Sequence, residues 1–102
     1  MTLAHPSLTI SREELAAFCK RWGIKELSLF GSAARGELRP DSDVDFMVEF
    51  DEDAHIGLDF ITVMDELARL VGRQVDLTGK EILRNPYRRA SIERDLTVLY
   101  AA

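Results

Sequence analysis

A chain of 102 residues with 46% hydrophobic and 30% charged side chains has the material for one core, so a second core and a disordered main state are both excluded. The formal net charge of −5 is the wrong sign for a freestanding binder of long nucleic acid, whose affinity comes from neutralising phosphates. The single cysteine, Cys19, excludes an internal disulfide and a cysteine-rich zinc site. No apolar run approaches the roughly 18 residues of a membrane span, and no signal peptide is visible, so the expectation is one soluble cytoplasmic domain over residues 1–102.

Ser11-Arg12-Glu13-Glu14 reads as a capping box. The Ser11 hydroxyl would accept from the Glu14 amide while the Glu14 side chain reaches back to the Ser11 amide, with Ile10 and Leu15 at staple positions. Leu15, Phe18, Cys19 and Trp22 recur at i, i+3, i+4 and i+7, which predicts one apolar helical stripe ended by Gly23. Such a stripe in a short chain is core, and Cys19 within it is a small buried hydrophobe rather than a nucleophile.

Residues 26–30 form a short predicted strand that stops at Gly31-Ser32. Next, Val44, Phe46, Val48 and Phe50 alternate with Asp43, Asp45, Met47 and Glu49, the period-two pattern of a strand with one buried face and one acidic, solvated face. Leu58, Ile61, Thr62, Met64, Leu67, Ala68 and Val71 predict a second long helix closed by Gly72. A strand is expected over 73–78, a turn of helix over 80–83, a helix restarting near Pro86 over 87–94, and a last strand over 96–100. The sum is an α+β fold, a small mixed sheet packed against helices.

Phe30-Gly31-Ser32-Ala33-Ala34-Arg35-Gly36 follows a strand and can open a short helix. Glycine lets a ligand approach the backbone, and free amides beside a serine hydroxyl suit phosphate; equally, Gly-Ser after a strand is an ordinary turn and N-cap. Asp43 and Asp45, two apart on a strand, project from one face roughly 7 Å apart. They form either a solvated strand face or a hard-oxygen pair suited to Mg²⁺, which keeps waters and completes its shell with substrate phosphate. A third carboxylate, Asp76, lies inside the apolar stretch Val75-Asp76-Leu77, where an aspartate is disfavoured unless paired or metal-bound.

Gly31-Ser32, ten further residues, Asp43-Val44-Asp45 and a later strand aspartate, Asp76, resemble the pattern of the polymerase-beta-like nucleotidyltransferase superfamily. Within it the chain is most similar to the minimal nucleotidyltransferases, from its first helix through Arg35, Ser42-Asp43, Asn85-Pro86 and Leu99-Tyr100. The resemblance implies transfer of a nucleoside monophosphate from a triphosphate to a hydroxyl. It implies Gly31 and Ser32 on the β and γ phosphates, and Asp43 and Asp45 on the metal that carries the triphosphate. Asp76 would complete a second metal position and help deprotonate the acceptor; two cations are the usual clamp for in-line displacement.

Arg35 is expected either to pair with a triphosphate oxygen or to pin the loop through a salt bridge. Ser42 is expected to cap a turn or to touch a phosphate, and Asp41 to be a turn residue. Residues 37–59 hold nine acids against one base, Arg39, so nucleotide binding should require Mg²⁺. The segment 80–95 carries five bases against three acids; it could contact nucleotide, an acidic partner or water, and a partner or water is the expectation. His5 and His55 have no companion at ligand spacing and read as surface or loop residues.

At 102 residues the expectation is that no acceptor-binding domain accompanies this one. Minimal proteins of this family resemble the antitoxin half of a module encoded beside a HEPN-domain ribonuclease toxin, where AMP passes from ATP to a toxin tyrosine. That resemblance implies ATP as substrate, Mg²⁺ as cofactor and a HEPN-domain toxin as partner. Two other readings are a noncatalytic antitoxin that neutralises by binding, and a small-molecule adenylyltransferase completed by a homodimer.

Overall fold

The structure, a computed structural model, describes residues 2–54 and 59–102. Helix α1 (Arg12–Arg21) starts at Ser11, whose hydroxyl accepts from the Glu14 amide at 3.1 Å. The return half of the expected box differs: the Ser11 hydroxyl donates to Glu14 Oε1 at 3.1 Å, so two side chains close the cap rather than a side chain and an amide. Leu15, Phe18 and Cys19 are buried as one stripe, and burial pushes the Cys19 thiol up to about 12, as befits a packed hydrophobe.

Strands β1 (Ile24–Phe30), β2 (Val44–Phe50), β3 (Val75–Gly79) and β4 (Thr97–Ala101) form one sheet in the order β3-β2-β1-β4. The two pairs involving β1 are antiparallel and β2–β3 is parallel, so the connection from β2 to β3 must cross the sheet. Helix α3 (Phe60–Val71) lies on that crossover and ends at Gly72, which takes the left-handed conformation with φ 71°. One of its expected positions, Leu58, lies outside the described residues, as does His55.

The buried stripe of α3 is Val63, Leu67 and Val71, whereas Ile61 is 59% exposed and Thr62 is exposed too. The expected stripe was therefore one position out of phase at its start: Val63 lies four residues before Leu67, on the same face, and Ile61 and Thr62 do not. Glu66 accepts from both Arg21 and the Trp22 indole, tying α3 to the end of α1.

Both faces of the sheet are covered in part. Val44, Phe46, Val48, Leu27, Leu29 and Leu77 pack into the main core with α1 and α3. On the opposite face Phe30 and Met47 are buried against Ile92 of helix α4 (Pro86–Asp95), with Ile82 and Leu83 of a 3-10 helix (Lys80–Arg84) beside them. The expected solvated acidic face is thus corrected. Met47 is 3% exposed, because α4 covers the middle of that face, while Asp45 at one end and Glu49 at the other stay partly accessible. Among the described residues no helix is long and apolar enough to cross a membrane.

Candidate active site

Four elements meet at the open end of the α4-covered face. Phe30 ends β1 opposite Asp45 of β2, and Asp45 is paired in register with Asp76 of β3. Residues paired in this way share a face, and neighbouring strands lie about 4.8 Å apart, so the sheet itself brings Asp45 and Asp76 together. Asp43 stands just before β2 and is exposed, Asp45 is half-buried, and Asp76 is exposed. Asp76 was expected to be disfavoured in its apolar stretch unless paired or metal-bound, and the structure leaves it exposed. As a member of an edge strand it reaches water, and desolvation does not explain its presence.

Gly31 opens helix α2 (Gly31–Ala34) with φ 74°, a conformation that costs a residue with a Cβ about 1–2 kcal/mol. A Cβ built there would also lie 2.5 Å from Asp45 Oδ2. Backbone geometry thus favours the glycine, and a larger residue would in addition have to displace the Asp45 carboxylate. Ser32 follows within the same turn and is partly exposed.

The Asp45 carboxyl is held above the ordinary carboxylate range, first by burial, then by the negative charges of Asp76 and Asp43, with Arg88 and Arg35 opposing. Uncompensated carboxylates of this kind attract a cation. Among the described residues no three His, Cys, Asp or Glu side chains are already drawn into one cage. Mg²⁺ does not need one, since it commonly takes one or two protein carboxylates and keeps its waters. Two carboxylates from among Asp43, Asp45 and Asp76 therefore suffice for a hydrated hard cation.

Arg35 adopts the salt-bridged arrangement, the second of its two expected states. Its Nε lies 3.1 Å from Glu37 Oε2, and one terminal nitrogen lies 2.7 Å from Asp95 Oδ2. The Asp95 side chain is only 13% exposed, and it ends α4, so this pair fastens the loop after Gly31 to the helix that walls the site. Ser42 accepts from the Arg39 amide at 3.3 Å, the turn-capping role. Asp41 lies in that turn.

Two contributions were not legible in the sequence. Arg73 donates to the carbonyls of Arg39 and Ser42 at 2.9 and 3.1 Å, which holds the turn that delivers Asp43. Arg88, with Tyr87 and Ser91, lines a cleft of about 320 Å³ whose other wall is Phe30, Gly31 and Asp45. The bases of 80–95 thus do not all face away: Arg88 fronts the site, whereas Lys80 pairs with Glu49 and Arg89 with Glu93.

The family model described as nucleotidyltransferase domain matches residues 12–99, nearly all of the chain. The chain belongs to the nucleotidyltransferase domain family. Within this nucleotidyltransferase family it is 41% identical over 78 residues to the protein adenylyltransferase MntA of Thermococcus cleftensis, covering 76% of this chain and 75% of that one. A solved structure described as a candidate minimal nucleotidyltransferase shares 36% identity with a TM-score of 0.68, covering 84% of this chain and 86% of that chain. The fold also matches a chain in a structure of tri-AMPylated Shewanella oneidensis HEPN toxin in complex with MNT antitoxin. That match has 17% identity and a TM-score of 0.59, and covers 89% of this chain and 70% of the other. The mixed four-stranded sheet with its helices is accordingly the polymerase-beta-like nucleotidyltransferase fold.

Proposed function

We propose that this nucleotidyltransferase, as one domain over residues 1–102, transfers AMP from ATP to a tyrosine hydroxyl of a partner HEPN-domain toxin in the cytoplasm and so acts as its antitoxin. The observation that carries the reading is the in-register pair Asp45 and Asp76 beside a positive-φ glycine. Three carboxylates at the end of a sheet serve no packing purpose, and they suit a reaction in which a metal cation must be held beside a polyanionic substrate.

Gly31 and Ser32 hold the β and γ phosphates, the glycine by admitting them close to the backbone. Asp43 and Asp45 would hold Mg²⁺, which would supply charge neutralisation of the triphosphate and polarisation of its α-phosphorus. Asp76 accepts the proton of the acceptor hydroxyl as its oxygen attacks the α-phosphorus, and the bond to pyrophosphate breaks. Arg35, committed to Glu37 and Asp95, positions the loop, and Ser42 caps the turn that leads to Asp43. The names of the relatives, a protein adenylyltransferase and an antitoxin beside an AMPylated toxin, support the choice of AMP and of a protein acceptor.

Incubating the chain with labelled ATP, Mg²⁺ and the product of its neighbouring gene tests this. Label on a partner tyrosine, with loss of toxicity, is the expected result. Neutralisation of the partner without label would replace it with the binding-only reading, and label on a small molecule with a homodimeric enzyme would replace it with the third.

A further inference from the structure

Two guanidinium groups stand near the Asp45 carboxylate, and they are not equivalent. Arg35 is already committed to Glu37 and Asp95, which leaves its planar fork little to offer a ligand. Arg88 is exposed and, among the described residues, forms no ion pair. It lines the cleft opposite Gly31.

Its placement is fixed from below. Ile92, one helical turn further along α4, is 3% exposed and packs with Phe30 and Met47. Phe30 immediately precedes Gly31 and is the register partner of Asp45. The same apolar cluster therefore sets the height of α4 and the position of the Gly31 loop, and it holds Arg88 across the cleft. At the N-terminal end of this helix, the Asn85 side chain accepts from the Tyr87 amide at 3.0 Å, which fixes where α4 begins.

We infer that Arg88 binds the nucleotide, gripping nonbridging oxygens of the β or γ phosphate from the α4 side while the Gly31 loop holds them from the other. This rests on the nucleotidyl-transfer reading and adds to it a binding residue. An acidic cleft that admits a polyanion needs a cationic group that is not already neutralised, and Arg88 is the arginine lining this cleft. Its field also opposes the charges of Asp76 and Asp43 at Asp45.

The test is calorimetric titration of the full chain with MgATP and with AMP, for wild type, Arg88→Gln and Arg88→Lys. Arg88→Gln should weaken ATP by about tenfold to a hundredfold, the range for charge-assisted hydrogen bonds, and leave AMP within about twofold. Arg88→Lys, which keeps the charge but not the fork, should fall between. Wild-type ATP affinity in Arg88→Gln overturns the inference, as does an equal loss for ATP and AMP, which would place the contact away from the β and γ phosphates. If Arg88→Gln fails to fold, wild-type affinity in Arg88→Lys overturns it instead. A folded wild-type chain that binds no MgATP would remove the nucleotidyl-transfer reading itself, a result distinct from any of these.

Discussion

Gly31 and Asp45 exclude each other's growth: a Cβ on the first would lie 2.5 Å from Oδ2 of the second. Gly31→Ala should therefore cost about 1–2 kcal/mol for the positive φ alone, plus the displacement of Asp45, and should abolish transfer. Urea denaturation of Gly31→Ala, Asp45→Ala and the double variant separates the two. The double variant is expected to recover the clash but not the backbone cost, so the two effects are not additive.

Asp45 also makes a pH prediction. Its carboxyl is raised by burial and by Asp76 and Asp43, so the folded state binds its proton more readily than the unfolded chain does. Stability from this residue is then unimpaired below the ordinary aspartate range and is lost as pH rises through the raised value. In chelator, Asp45→Asn should melt higher than wild type at pH 7, and the difference should vanish as pH falls below the ordinary range. Asp43→Ala combined with Asp45→Ala should abolish transfer without lowering the melting temperature.

Mg²⁺ should act on the same charges from outside. Titration of ATP in chelator is expected to show little or no binding, with affinity restored by Mg²⁺, because three carboxylates face a ligand of about four negative charges. Unchanged ATP affinity in chelator would show that the carboxylates serve another purpose.

The Arg35–Asp95 pair predicts a coupled effect. Arg35→Gln and Asp95→Asn should each slow transfer to a similar extent, and the double variant should be no slower, since either change releases the same loop. With Arg35 half-exposed, salt should weaken the coupling in a double-mutant cycle of transfer rates.

Cys19 supplies a probe of the core. With no exposed surface and a thiol raised to about 12, it should resist alkylating reagents at pH 8 until the chain unfolds. Cys19→Ser should cost about 1–3 kcal/mol through the buried hydroxyl, measured by thermal or urea denaturation.

What could be read from residues alone follows from how strongly each pattern is forced. Val44, Phe46 and Val48 are buried on one face, and strict alternation announces that. The phase of α3 was less constrained: Ile61, Val63 and Met64 are all apolar, and only the sheet decides that Val63 goes inward. Helix α4, Pro-Tyr-Arg-Arg-Ala-Ser-Ile-Glu-Arg-Asp, buries Ile92 alone. One apolar residue defines no stripe, which is why Arg88 could not be told from the other bases of its segment before the fold was known. Asp76 was visible as a strand residue, but its exposure depends on β3 being at an edge, a property of strand order rather than of local sequence.

That edge position has a further bearing on Asp76. Among the described residues β3 pairs only with β2, so its other side offers unpaired backbone groups, the template on which chains stack into aggregates. A negative charge on such a strand discourages self-association. Replacing Asp76 by a β-branched apolar residue would remove that safeguard as well as a site carboxylate, so inactive variants at this position need a solubility measurement before their inactivity is ascribed to chemistry.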